Sequence, residues 1–516
     1  MTPEQYQELR KVLSTCDPRL ERSKLSEQPL ALRTWTPWTK GRARVVALDV
    51  DATGSFNQPT EYTDARQFSA VLTAKATATS TCSRSVYLLE GLTSELVNVL
   101  GAHFQIHPSM FMDHELLVPH VEGPDRLTGE SAGLPFLPSA TYGREHFSFK
   151  YHEPLVLSKP PTRFSNVCDT SGRHFAITRV MGRFSAVGVC RRKCTFWSKA
   201  DRQTGGWNCL VICDPPIRRL LARDYSEKSA IDVETSPYGS GYLDFVPLSR
   251  QLELRRGPPR TSMLEDLLFY LQNHACILDL SGPASVRALI ERVIASHFLS
   301  LARYIQGNVG MVRAQLSRRN DLTSFAVATT EELWSDIQAW EQRVTEYQDD
   351  VEAAMLQLGI PFGTASDISR TKSFNDSTAD FQHLRLQFQK IGQRVNALSN
   401  VITALASLAG NRAMSRNTEL SLKEAEQATR QTQSLKGLTV LGVIFLPLSF
   451  SASLLSMSER YLPGRGMFWV YFGISFPLLG LVVFCYFLVE LGYREGETRW
   501  RVKAVLTNIR DRLEQS

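Results

Sequence analysis

Two uncharged apolar runs near the end of the chain, Gly437 to Leu455 and Met467 to Val489, decide most of what it can fold into. Crossing about 30 Å of hydrocarbon takes about 20 apolar residues in a helix, and both runs reach that length. The link between them, SMSERYLPGRG, carries Pro463, Gly464 and Gly466, the chemistry of a turn. A transmembrane hairpin is therefore expected over residues 437–491, with spans at 437–456 and 467–489. Lys423, Arg430 and Lys436 precede the first run, and Arg494, Arg499, Arg501, Lys503, Arg510 and Arg512 follow the second. The link holds Arg460 and Arg465. Basic residues concentrate on the cytoplasmic side, so both termini are expected there, with a basic tail at 492–516.

The rest reads as soluble material. A mean hydropathy of −0.17 over 516 residues confines the membrane part to a small share of the chain. The opening residues MTPEQYQELRKVL have no apolar core of a signal peptide, which keeps the N-terminal mass in the cytosol. Nine scattered cysteines fit a reducing compartment. A net charge of +6 is too slight for a nucleic-acid binder, so membrane lipid is an expected partner and nucleic acid is not.

A short helix over Gln5 to Leu13 and a lead-in to residue 30 come first. Short apolar runs follow at Arg44 to Val50, Ser85 to Leu89, Thr178 to Val189 and Leu210 to Asp214, with a helical stretch at SELVNVLGAHFQI. That alternation predicts an α/β domain over 31–282, with a loop at Gly123 to Gly143. From Pro283 proline becomes rare and helical spacing takes over, predicting long cytosolic helices and a stalk over 283–436. One helix is expected from Ala284 to Leu316, a second from Glu332 to Leu358 and a third from near Asp380 toward the membrane. The fold class is thus a multi-domain membrane protein: an N-terminal α/β cytosolic domain, long helices including a stalk, and a C-terminal two-helix hairpin.

Charge and apolar spacing predict how the long helices meet. Asp321 to Leu358 holds nine acidic residues against Arg343, whereas Leu384 to Lys436 holds eight basic against three acidic. Such faces can pair, or can stand as two solvated surfaces. Phe381, Leu384, Phe388, Ile391, Val395, Leu398, Ile402 and Leu405 alternate steps of three and four, a seam for packing on the preceding helices.

The first span carries a second pattern. Thr439, Gly442, Leu446, Ser449, Ser453 and Ser456 recur at three and four and share one face, and Pro447 is placed to kink the helix. Small and hydroxylated residues on one face let helices approach closely. They equally suit a water-filled pore built by several copies, since one hairpin encloses no path.

These features resemble the CorA-type divalent-cation channels. LTVLGVIFLPLSFSASLLSM is similar to that family's first span, IFLPLSF above all, in the form found in fungi, and YLLEGL followed by VLGAHFQIHPSMFMDHEL is similar to its N-terminal domain. The resemblance covers the chain from about residue 40. It implies a homopentamer whose first spans line a pore for hydrated Mg²⁺, through Thr439, Leu446, Ser449 and Ser453. At the outer end the family carries a Gly-Met-Asn triplet. Here Ser456, Met457 and Ser458 stand there, followed by Glu459. A serine hydroxyl has shorter reach and a weaker dipole than an asparagine amide. The alternative is therefore a non-conducting, membrane-anchored scaffold or sensor built on the same fold.

Other chemistry is thinner. No phosphate-binding glycine loop, nucleophile elbow or His-Glu-x-x-His helix occurs, so no enzyme and no organic cofactor are expected. Asp349, Asp350 and Glu352 offer oxygens to a regulatory Mg²⁺ between subunits, or form a plain solvated face. Cys190, Cys194, Cys209 and Cys213 are spaced more loosely than zinc knuckles and point to buried thiols, with Cys209, Val211 and Cys213 on one strand face. His103, His107, His114 and His120, near Asp113 and Glu115, lack any regular ligand spacing. Trp35 and Trp38 beside Lys40, Arg42 and Arg44 suggest a solvated edge leading into a strand.

Overall fold

A computed structural model describes residues 1–14, 43–51, 54–77, 83–115, 145–159, 165–180, 183–201, 204–222, 230–246, 257–318, 327–363, 375–457, 463–464 and 466–492. The expected loop at Gly123 to Gly143, Trp35, Trp38, Lys40, Arg42, His120, the link residues Ser458, Glu459, Arg460 and Arg465, and the tail beyond Gly492 lie outside them. The chain divides into two units, Met1–Ser407 and Leu408–Ser516.

The first unit is built on a mixed sheet. Its strands are β1 (Arg44–Asp49), β2 (Thr60–Tyr62), β3 (Arg84–Glu90), β4 (His146–Leu157), β5 (Ser165–Cys168), β6 (His174–Val180), β7 (Arg183–Ala200), β8 (Trp207–Cys213), β9 (Arg219–Ala222), β10 (Ile231–Asp232) and β11 (Thr235–Pro237). The order is β10-β9-β5-β6-β7-β8-β3-β1-β2, with β4 paired to β7 and β11 to β4. Every pairing is antiparallel except β3 with β8. The run Thr178 to Val189 is two strands rather than one: β6 and β7 pair as a hairpin with Val180 opposite Arg183. Gly182 marks in the sequence a break that apolar content alone hides.

β8 explains the layering. Its residues are buried on both faces. Cys209, Val211 and Cys213 enter one core, whereas Leu210 and Ile212 enter another. The second core is closed by α1 (Pro3–Ser14), α2 (Ala65–Thr77), α3 (Ser94–Phe104) and α4 (Ser109–Glu115). Thr93 caps α3, its Oγ1 accepting from Leu96 N–H at 3.3 Å. Tyr6 docks α1 on α3 at Gly101, where a Cβ would stand 2.1 Å from the Tyr6 ring, so the glycine is what admits the phenol. The Tyr6 hydroxyl donates to the Ile106 carbonyl at 2.7 Å.

The first core is closed by α5 (Met263–Asn273), α6 (Ala284–Arg318), α7 (Val327–Leu358) and the start of α8 (Thr378–Leu455). The seam residues Phe381, Leu384, Phe388, Ile391, Val395 and Ile402 are buried. Phe388 meets Phe298 of α6 at 6.2 Å and Tyr347 of α7 at 6.4 Å between ring centroids. The acidic helix meets its basic successor at Glu352, which accepts from Arg385 Nε at 3.0 Å. Two more of its carboxylates turn to the sheet. Glu346 pairs with Lys150 and Arg191, and Asp350 pairs with Lys150 and His152.

One ion pair is sealed between α4 and the sheet. Arg173 binds Asp214 through Nε at 2.9 Å and a terminal nitrogen at 3.0 Å, and donates to the His114 carbonyl at 2.6 Å. Burial pushes the Asp214 carboxyl up, but Arg173 and His114 outweigh it and hold the group well below the usual carboxylate range. Removing one partner of a buried pair strands the other charge. Arg173→Ala should therefore destabilise the unit by about 3–5 kcal/mol. Thermal unfolding of the purified full-length protein checks this, and an unchanged Tm contradicts it.

Candidate functional site

The second unit contains the end of α8 and α9 (Trp469–Gly492). Both are long and apolar enough to cross a membrane, and their most apolar windows are only 11% and 6% buried within the protein. A soluble core helix would be covered, so this exposed apolar surface has the character of one that faces hydrocarbon. α8 runs through Pro447 without a break in the helix. The two segments lie side by side, with Tyr471 Oη 3.4 Å from the Leu448 carbonyl, and the short link makes them antiparallel.

Burial separates the faces of α8 in this region. Pro447, Ser451 and Leu455, each four residues from the next, are its buried positions. From Phe468, just before α9, the covered side continues through Tyr471, Ser475, Leu478, Leu479, Val482, Val483, Tyr486 and Leu488, with Ser475 fully buried. Thr439, Gly442, Leu446, Ser449, Ser453 and Ser456 are all exposed. At about 100° per residue, Gly442, Ser449 and Ser453 fall within about 20° of directly opposite Ser451, and the rest within about 60°. The polar stripe does not pack on its own hairpin partner. That task falls to Pro447, Ser451 and Leu455, whose i, i+4 spacing is the signal the sequence carries for it.

Two of the stripe's hydroxyls, at Thr439 and Ser456, have a defined polarity. Thr439 Oγ1 donates to the Leu435 carbonyl at 2.9 Å and Ser456 Oγ to the Ser453 carbonyl at 2.8 Å. Each proton is spent within the helix, and the oxygen lone pairs remain as acceptors. Acceptors without charge suit the outward-pointing hydrogens of water around a cation. Met457 is 89% exposed beyond the end of α8.

The remaining candidates are dispersed. Asp350 Oδ2 lies 2.6 Å from His152 Nε2 and its Oδ1 lies 3.0 Å from Lys150 Nζ. Burial raises the Asp350 carboxyl, but His152 and Lys150 hold it below its ordinary value. Glu352 faces Arg385, and burial followed by Glu352, Asp350 and Glu346 raises the Asp349 carboxyl. Cys194 stands opposite Cys213 across β7 and β8, whereas Cys190 belongs to a separate core. His107 bonds Ser109, His114 lies against Asp214 and Thr195, and Asp113 meets His146. Burial pushes the His114 imidazole down to about 4. Among the described residues no three such side chains gather into a metal group.

No protein-family model matches the chain, and no curated protein matches it. Among solved structures, that of the CorA magnesium transporter from Methanocaldococcus jannaschii aligns with 89% of this chain and 98% of its own length, at 10% identity and a TM-score of 0.29.

The two faces of α8 make distinct predictions. Ser451→Leu overfills a buried contact and should cost about 1–3 kcal/mol. Ser453→Leu adds the same bulk on the open face and should leave hairpin stability unchanged. Unfolding of the detergent-solubilised monomer measures both, and equal losses would mean that the faces are misassigned.

Proposed function

We propose that the protein is a divalent-cation channel of CorA type that passes Mg²⁺ through a homopentameric pore. Each copy contributes the face Thr439, Gly442, Leu446, Ser449, Ser453 and Ser456. One observation carries the reading: this uncharged acceptor stripe lies opposite the surface that α8 uses against α9. A polar face turned to lipid forfeits its hydrogen bonds, whereas five such faces around an axis share water. The likeness of the first span to that family supports the ring, and the basic flanks support cytoplasmic termini.

At the outer end, Ser456 and Ser458 replace a glycine and an asparagine of that family. Their acceptors would hold the ion's hydration shell less firmly. The expected pore is consequently less selective for Mg²⁺ over other hydrated divalent cations.

Liposomes loaded with a Mg²⁺-sensitive dye and carrying the purified protein test this. Uptake under an inside-negative potential is expected, with a fall of about tenfold or more for Ser453→Leu, which plugs the stripe. Absence of flux for Mg²⁺, Zn²⁺, Ni²⁺ and Co²⁺ from a verified oligomer would establish the membrane-anchored scaffold instead. In that case flux gained by the double change Ser456→Gly, Ser458→Asn would identify a pore that has lost conduction.

A further inference from the structure

A crevice holding about 300 Å³ of free space, part of it open to solvent, lies where α6, β4 and the segment after β11 meet. Ser296 and Ser300 stand one turn apart on α6 and line it, with His297 beside them. Tyr238 lines it from the single turn that follows β11, and Arg260 from the chain just before α5. The side chains of Ser296, His297, Ser300 and Tyr238 are partly exposed. None of the four makes a hydrogen bond to another described residue. Half-sealed polar groups without protein partners, gathered on one crevice, leave their hydrogen bonds to water or to a ligand.

Arg260 is held in place at both its backbone and its side chain. Its φ of 53° is left-handed, and Asp266 accepts its backbone N–H at 2.6 Å. Gly241 leaves room for the side chain, since a Cβ there would stand 2.5 Å from Arg260 Cδ. Arg260 Nε donates to the Tyr242 carbonyl at 2.8 Å, and the guanidinium lies 5.5 Å from the Tyr242 ring centroid. Nη1 reaches the Pro258 carbonyl at 3.5 Å, whereas Nη2 keeps no partner among the described residues. Two nearby carboxylates are engaged elsewhere. Glu153 accepts from Arg192 Nε at 2.9 Å. Asp266 accepts from the Tyr242 hydroxyl at 2.9 Å, and burial raises its carboxyl to about 7. Burial lowers the His297 imidazole against the pull of Glu153, so it enters as a neutral group. The lining is left with a cation that no described carboxylate pairs, and with a set of hydroxyl donors.

We propose that this crevice binds a small tetrahedral oxyanion of the phosphate class, with Arg260 as its counter-charge and Ser296, Ser300 and Tyr238 as hydroxyl donors. A guanidinium offers a planar fork that phosphate oxygens accept in pairs. Donors arriving from three separate elements suit oxygens arranged around one centre better than the flat edge of a carboxylate. Size limits the ligand as well. Pockets for organic ligands run from about 300 to 1,000 Å³, so a phosphoryl group fits where a whole nucleotide does not. That group comes either as free phosphate or as the end of a phosphomonoester. Nothing in this proposal depends on whether the pore conducts.

The test is equilibrium dialysis of radiolabelled inorganic phosphate against the full-length protein in detergent, in magnesium-free buffer of fixed ionic strength. Saturable binding is expected, displaced by sulfate and not by the same concentration of acetate. Arg260→Gln should weaken it by about tenfold or more, the worth of a charge-assisted bond. Ser296→Ala with Ser300→Ala should weaken it by about threefold or more. Arg313→Gln, at an exposed position on the same helix, removes equal charge and should change nothing. Thermal unfolding shows which variants are folded, and if Arg260→Gln is not, the serine pair on α6 reads the same site. Absence of saturable binding overturns the proposal. So does binding that ignores both sets of substitutions, which would put the phosphate elsewhere, or an equal loss in Arg313→Gln, which would make it an effect of net charge. Displacement by acetate overturns it in favour of a carboxylate site. Glycerol phosphate binding tighter than free phosphate would identify a phosphomonoester as the ligand, and the reverse would identify the free ion; either supports the site. These readouts stand apart from flux, so a non-conducting channel leaves them intact.

Discussion

In hydrocarbon a backbone amide has no water to bond, so each segment must satisfy its own N–H and C=O groups, and a helix is the form that does so alone. The end of α8 and α9 have the length and composition to meet this constraint, which leaves the rest for side chains to decide. Pro447 lacks an N–H and would weaken the helix wherever it stood. It stands on the covered face, where Ser451 Oγ donates to its carbonyl at 2.9 Å. Awkward chemistry is gathered against α9, and the uncharged hydroxyl face is left open on the far side.

The first unit solves a related problem with charge. Asp214 and Arg173 are both sealed from water and bonded to each other. Around them Lys193, lowered to about 7 by burial and by Arg173, donates to the Asp113 carbonyl at 2.6 Å. The acidic α7 is held in part by sheet cations. Lys150, His152 and Arg191 take Glu346 and Asp350, which leaves Glu352 to bridge toward α8. Carboxylates already neutralised in this way have less to offer a metal ion than their count in the sequence suggests.

Much of this was legible beforehand, for identifiable reasons. The two apolar runs exceed any soluble requirement, and the seam from Phe381 to Ile402 repeats often enough to fix a buried helix face. Cys209, Val211 and Cys213 alternate with Leu210 and Ile212, so a strand buried on both sides could be read from five residues. The pairing inside Thr178 to Val189 was hidden because the two strands are separated by only Met181 and Gly182 in the sequence. The destination of the acidic helix was hidden more deeply. Lys150 and Arg191 are distant in sequence from Glu346 and carry no periodicity that points to it. On α8 the visible polar stripe drew attention from the less conspicuous trio of Pro447, Ser451 and Leu455, although the trio determines which way the stripe faces.

The parallel register of β3 on β8, with Leu88 opposite Val211, joins segments more than a hundred residues apart. β8 fills two cores at once, so neither sheet face can close before that distant contact forms. Contacts of such separation slow folding, because chain entropy is lost before the contact returns stability. During synthesis, then, α1 to α4 wait beside a half-built sheet with β1 and β3 exposed. The two apolar helices follow every described strand of the sheet in chain order. They therefore emerge onto a chain whose described strands can already be paired.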